Sequence, residues 1–257
     1  MKPITFVVIT SWLLFAPLNA QETPLFKKEV FEMNSATMPY RILFPEDYDT
    51  HKKYPLILVL HGSGERGNDN EIQLVHGSDL FLKNRETYGA IVVFPQCSAN
   101  SSWASISVNN QGDGREFVFY EKAEPTEDML LLEGLLKYLK KTYAINKRKM
   151  YVGGLSMGGF GTFEIVRRNP KLFAAAFPIC GGANTAIANR IKNVKWWVFH
   201  GADDKVVPPK YSTAMVNALK AVNADIHYSL YPGVGHNSWE NAFSEPELLP
   251  WLFSIKK

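Results

Sequence analysis

The sequence predicts a single α/β domain, a mostly parallel central sheet with helices on both faces. Three observations predict it. Short apolar, β-rich runs recur at Tyr40–Phe44, Leu56–Leu60, Ala90–Phe94, Met150–Gly153, Ala174–Ile179, Trp196–His200 and Ile226–Tyr231. From Leu56 onward most of these runs are continuously apolar, as strands buried on both faces should be. Helical or loop material separates most of them, and strand alternating with helix builds a parallel sheet between two helical layers.

The elements follow in chain order. Phe26–Phe31 and Met38–Phe44 read as an antiparallel pair leading into the sheet. After Pro125-Thr126, a plausible helix start, Leu132, Leu135, Leu136, Leu139 and Tyr143 repeat at helical spacing. A second helix fits Gly158–Arg168 and is ended by Asn169-Pro170; a third fits Tyr211–Ala221. No internal repeat, low-complexity tract or linker divides the chain, so residues 21–257 are expected to form one domain.

Residues 1–20 read as a secretory signal peptide. Met1-Lys2 gives a positive start, Ile4–Phe15 is apolar, and Leu18-Asn19-Ala20 precedes the polar Gln21-Glu22-Thr23. The apolar run is too short to span a bilayer comfortably. The mature protein is therefore expected outside the cytoplasm, secreted or periplasmic, with no stable membrane insertion. Export permits disulfides, yet only Cys97 and Cys180 are present. Each follows a strand-like run. Two buried free thiols are the preferred reading and a disulfide the alternative, since pairing depends on a distance.

With 46% hydrophobic and 21% charged residues, the chain has enough apolar material for a sizeable core and no segment that reads as disordered. A net charge of +3, with its cations scattered, argues against a nucleic-acid partner. Lys147-Arg148-Lys149 fits a solvated loop before a buried strand. His51, His76 and His227 are isolated and show no metal-ligand spacing, so no metal is expected. Gly62-x-Gly64-x-x-Gly67 imitates a dinucleotide fingerprint, but no ribose-binding acid stands at the right distance downstream.

The strongest chemical signal is Gly154-Leu155-Ser156-Met157-Gly158-Gly159, between a strand and a helix. A serine on so sharp a turn is pushed out at the sheet's edge, and the glycines permit the backbone crowding this requires. A serine hydroxyl needs a base, and the base needs an orienting group. Asp204 follows the strand Trp196–His200 and His236 follows the strand Ile226–Tyr231, both at the edge where Ser156 sits. Asp203 competes with Asp204; its position in the loop favours Asp204. The glycine-rich segment His61–Gly67 leaves Leu56–Leu60 at the same edge. The backbone N–H groups of Ser63 and Met157 are the candidate oxyanion-hole donors, and losing one such donor typically costs roughly 3–4 kcal/mol of barrier. His61 and His200 read as supports.

The segments His61-Gly62-x-Gly64, Gly154-x-Ser156-Met157-Gly158-Gly159, His200-Gly201-x-x-Asp204-x-x-Val207-Pro208 and Gly235-His236 resemble the α/β-hydrolase superfamily. Within it the chain is similar to secreted carboxylesterases of the dienelactone-hydrolase, feruloyl-esterase and phospholipase/carboxylesterase type. Gly64-Glu65-Arg66-Gly67, Phe94-Pro95-Gln96-Cys97 and Gly235-His236-Asn237-Ser238-Trp239 carry the finer likeness. The resemblance implies the α/β-hydrolase fold, a Ser156–His236–Asp204 triad, an acyl-enzyme and no cofactor. It leaves the substrate open among small or carbohydrate-linked esters, with a lipid-directed esterase, a prolyl-oligopeptidase-like peptidase and a non-catalytic binding protein as alternatives. The segment between Cys180 and Lys195 is too short for a large lid. The Ser98–Glu124 excursion, with Trp103 and Phe117, is the expected wall of the site, and Gln96 and Trp103 are candidate substrate contacts; packing under the loop is the other reading of its aromatics.

Overall fold

The structure, a computed structural model, describes residues 25–111 and 114–257; the expected signal segment, 1–20, lies outside the described residues. Among the described residues there are ten strands: β1 Lys27–Met33, β2 Ala36–Leu43, β3 Tyr54–Leu60, β4 Ile91–Pro95, β5 Ile106–Gln111, β6 Gly114–Phe119, β7 Ile145–Leu155, β8 Ala175–Ile179, β9 Lys195–Gly201 and β10 Ile226–Tyr231. Eight form one sheet in the order β1-β2-β4-β3-β7-β8-β9-β10. From β4 to β10 neighbouring strands run parallel. The β1–β2 hairpin joins β4 antiparallel, as the sequence leads one to expect. Its two-residue turn places Asn34 and Ser35 at φ 52° and 65°, the left-handed geometry that matches the twist of the flanking strands.

The described residues form seven α-helices around the sheet: α1 Ser78–Lys83, α2 Glu127–Thr142, α3 Met157–Arg168, α4 Ala188–Ile191, α5 Lys210–Ala221, α6 Trp239–Phe243 and α7 Leu248–Ser254. Thr126 starts α2, its hydroxyl accepting from the Met129 amide, with Glu127 and Asp128 in the first turn and Lys140 and Lys141 in the last. That arrangement satisfies an orphan amide and complements the helix dipole. The core divides by sheet face. Leu56, Leu58 and Leu60 of β3 pack with Leu132, Leu135 and Phe163 of α2 and α3. Ile57 and Val59 turn to the other face, among Phe94, Phe177 and Leu248. Alternate side chains of one strand thus enter two cores, which is why the run is continuously apolar. No helix among the described residues is long and apolar enough to cross a membrane.

Two features depart from the sequence expectation. β7 starts five residues before the apolar run does, because Ile145 pairs with Tyr54 ahead of a register shift and the polar residues between are partly or fully exposed. The Ser98–Glu124 excursion contains the β5–β6 hairpin, which forms a separate two-stranded sheet. Cys97 and Cys180 are both buried free thiols, and burial pushes each thiol pKa up.

Candidate active site

Ser156 sits between β7 and α3 with φ 53° and ψ −114°. The positive φ of a non-glycine residue is a strained conformation held by its surroundings. Ser156 N donates to Ile179 O at 2.9 Å and Ser156 O accepts from Phe160 N at 3.0 Å. The crossing is possible because the flanking residues lack side chains: a Cβ on Gly158 would lie 2.0 Å from Leu60 O, and one on Gly154 would lie 2.6 Å from the same oxygen.

The other two groups arrive from the ends of β9 and β10. His236 Nε2 is 3.0 Å from Ser156 Oγ, and His236 Nδ1 is 2.7 Å from Asp204 Oδ2. The Asp204 loop and the His236 loop meet backbone to backbone: a Cβ on Gly201 would be 2.2 Å from Gly235 O. Asp203 N donates to Val234 O at 2.9 Å, while the Asp203 residue itself is exposed. The carboxylate facing His236 is therefore that of Asp204.

Asp204 is fully engaged. Its Oδ1 accepts from the amides of Val206 and Val207 at 2.8 and 2.9 Å. His200 Nε2 lies 3.2 Å from Asp204 Oδ2 and 2.8 Å from Val207 O, so this nitrogen faces only acceptors and carries a proton. Burial works to raise the Asp204 pKa; the hydrogen bonds from His200, His236 and Val207 outweigh it and hold the carboxyl well below the usual range.

Ser63, Met157, Ser156 and His236 border one cleft of about 400 Å³. Ser63 opens a 3₁₀ turn after Gly62, and Met157 is the first residue of α3, where backbone amides are free of intrahelical partners. The loop before Ser63 is fixed from beneath. His61 Nδ1 donates to Gly62 O at 2.6 Å and His61 Nε2 accepts from Cys97 N at 2.9 Å. Burial depresses its pKa to about 4, so His61 is a neutral brace. A serine hydroxyl, an imidazole and a carboxylate in one hydrogen-bonded chain, with two candidate amide donors around the same cavity, form an arrangement able to perform acyl transfer.

The family model for Esterase matches residues 32–252. The chain belongs to the Esterase family. This esterase is 25% identical over 204 residues to the "Probable feruloyl esterase C" of Aspergillus oryzae, which covers 77% of this chain and 67% of that protein. Feruloyl esterase C of Emericella nidulans is 20% identical over 231 residues, 87% of this chain and 77% of that one. The crystal structure of a thermostable esterase superposes with a TM-score of 0.81 at 32% identity, covering 91% of this chain and 64% of that chain. This chain thus spans just under two thirds of that solved esterase. The common fold is that of the α/β-hydrolases.

Two sequence expectations for the esterase need correction. Trp103 is wholly buried: its Nε1 donates to His61 O at 3.1 Å, and its Cβ packs where a Gly161 side chain would be. Gln96 is equally buried and organises the Glu65–Asn70 loop, accepting from Asn70 N at 2.7 Å and donating to Asp69 Oδ1 at 3.1 Å. Neither borders the cleft. The wall does come from the Ser98–Glu124 excursion, through Ile106, Val108, Arg115 and Phe117 of the β5–β6 hairpin, and Phe160 and Val206 also border the cleft. A signal for the hairpin was present: Ile106 and Val108 alternate, as do Phe117 and Phe119, around a Gly112-Asp113-Gly114 segment.

Proposed function

We propose that this ester hydrolase is a serine carboxylesterase of feruloyl or acetyl groups carried on carbohydrates, with Ser156, His236 and Asp204 as its triad. The carrying observation is the hydrogen-bond chain from Ser156 Oγ through His236 to Asp204 at the cleft. His236 takes the Ser156 proton as Oγ attacks the ester carbonyl. Asp204, ionised and satisfied, orients the imidazole and stabilises its cation. The Met157 and Ser63 amides hold the oxyanion. The alcohol leaves with the proton from His236, and water then hydrolyses the acyl-enzyme by the same route in reverse.

The substrate class rests on two supports. The curated relatives are feruloyl esterases by name. The cleft is largely apolar, with Phe117 and Phe160 available to a planar aromatic acyl group. The signal-like character of residues 1–20 supports export, with 21–257 as the catalytic domain outside the cytoplasm, where plant-polymer esters are met.

The test compares methyl ferulate and acetylated sugars with long-chain acyl esters and peptide amides, using wild type and Ser156→Ala. Ferulate or acetyl-sugar esters should be cleaved fastest. Ser156→Ala should remain folded and lose about a millionfold in turnover. Wild-type turnover in that variant would refute the triad; fastest cleavage of long-chain esters or peptides would refute the substrate class. Mass spectrometry of the exported protein should find cleavage after Ala20, and an intact Met1 would refute the export reading.

A further inference from the structure

Among the described residues, two guanidinium groups and no carboxylate border the cleft beside Ser156. Arg66 and Arg115 both border it, together with Ile106, Val108, Phe117 and Phe160. Arg66 Nε donates to Ser63 O at 3.0 Å and its Nη1 to Ser101 O at 3.2 Å. Its Nη2 makes no hydrogen bond among the described residues, and neither arginine forms a salt bridge among them. Arg115 is exposed on β6, paired across the hairpin with Asn110. Strand alternation puts it on the face of Phe117, whereas its neighbour Glu116 belongs to the opposite face. Of the acids near the other cleft residues, Asp204 is committed to His236 and His200 and Glu164 to Arg167, while Glu65 has His76 at 3.9 Å and does not border the cleft.

An arginine is permanently charged, and its planar fork matches a carboxylate in two parallel hydrogen bonds. Beside apolar walls that charge is screened less than on open surface, so an anion held there gains more than it would in water. Arg66 spends Nε and Nη1 on two backbone carbonyls and keeps Nη2 for a ligand, and Arg115 makes no hydrogen bond or salt bridge among the described residues.

We propose that Arg66 and Arg115 make this cleft select esters that carry a carboxylate. The carboxylate would sit either on the acyl group, as in a dicarboxylate hemiester, or on the alcohol, as in an ester of a uronic acid sugar. The proposal rests on the esterase reading of Ser156 and extends it to charge.

Two matched pairs test it by kcat/KM: naphthyl hemiglutarate against naphthyl pentanoate for the acyl side, and acetylated methyl glucuronoside against acetylated methyl glucoside for the alcohol side. Wild type should favour the acid in at least one pair by about tenfold, the scale of one charge-assisted hydrogen bond. The ratio should shrink with added salt. Arg115→Gln should reduce it, and Arg115→Glu should bring it below one, an inversion that loss of a purely structural residue would not produce. Arg66→Gln should also reduce it; if that variant misfolds because Arg66 braces Ser63, the two Arg115 variants on the exposed hairpin carry the test. Ratios at or below one in both wild-type pairs, or a ratio unmoved by Arg115→Glu, would overturn the proposal. Ser156-dependent cleavage of the neutral esters in that case would leave the esterase reading standing. Neutral esters cleaved equally by Ser156→Ala would sink the reading of Ser156 itself.

Discussion

The turn between β7 and α3 and the β5–β6 hairpin both border the cleft, yet they are held in opposite ways. At the turn, backbone lies on backbone: Gly154 and Gly158 press against Leu60 O, and Gly159 against Ile179 O. Every strand around it belongs to the main sheet. The hairpin belongs to no larger sheet. Aromatic contacts hold it, with Phe117 and Phe119 each packed on Phe160 and Tyr211 at ring distances of 5.3 to 5.6 Å. Single hydrogen bonds supplement them: the Phe117 amide donates to Tyr211 Oη and Asn184 Nδ2 donates to Phe119 O, both at 2.9 Å. A two-stranded hairpin is marginal alone, so those rings decide whether it stays. In the proposed reading, the chemistry sits where backbone packs on backbone, and substrate choice sits on a hairpin held by a few rings and single hydrogen bonds.

Four changes sharpen that contrast, taken from the largest effect down. Asp204→Asn should cut turnover by about ten-thousandfold, while Asp203→Asn stays near wild type, because only the Asp204 carboxylate meets His236. A crippled Asp203→Asn with a healthy Asp204→Asn would reverse the assignment. Gly158→Ala puts a methyl 2.0 Å from Leu60 O, and Gly64→Ala meets nothing within 4 Å. Urea unfolding should show a loss above about 4 kcal/mol for the first and within about 0.5 kcal/mol for the second. Equal losses would mean that the turn tolerates movement after all.

The third change is acid. His61 takes a proton near 6.5 when unfolded and near 4 when folded. Its depressed value contributes stability that is complete above 6.5 and is lost as pH falls through that window, roughly 3 kcal/mol in all. Unfolding free energy measured across this range should fall more steeply in wild type than in His61→Gln; parallel curves would show that His61 is not the group responsible. The smallest effect belongs to the hairpin. Phe117→Ala should lower kcat/KM for a ferulate ester by about tenfold and leave acetate-ester turnover nearly unchanged. Equal losses on both substrates would tie the hairpin to the chemistry and erase the distinction.

The same contrast explains what could be read without coordinates. Ser156, Asp204 and His236 each stand just past a strand, so topology alone brings them to one sheet edge. The faces of β3 were readable because both are buried. The excursion that walls the cleft was readable as a whole, but which of its side chains face the cavity was not, since that is decided only by tertiary contact. Trp103, an aromatic on a long excursion, has the look of a binding face in sequence, but the space left by Gly161 draws it into the core. Gln96 sits in a family-like segment for the sake of its loop, not of a ligand. α1, α4, α6 and α7 have four to seven residues, too few to display a helical period.

The stem of the Ser98–Glu124 excursion is tied shut at its base. Ser105 Oγ donates to Glu124 O at 2.6 Å, and Thr126 Oγ1 donates to Ser102 O at 2.7 Å. Chain entering and chain leaving are thereby fixed beside each other whatever lies between them, and lengthening a closed loop raises its entropic cost only slowly. Over evolutionary time the segment can be exchanged like a cassette, with β4 and α2 never learning of the replacement. A new hairpin on that stem would leave the hydrogen-bonded chain from Ser156 through His236 to Asp204 as it is.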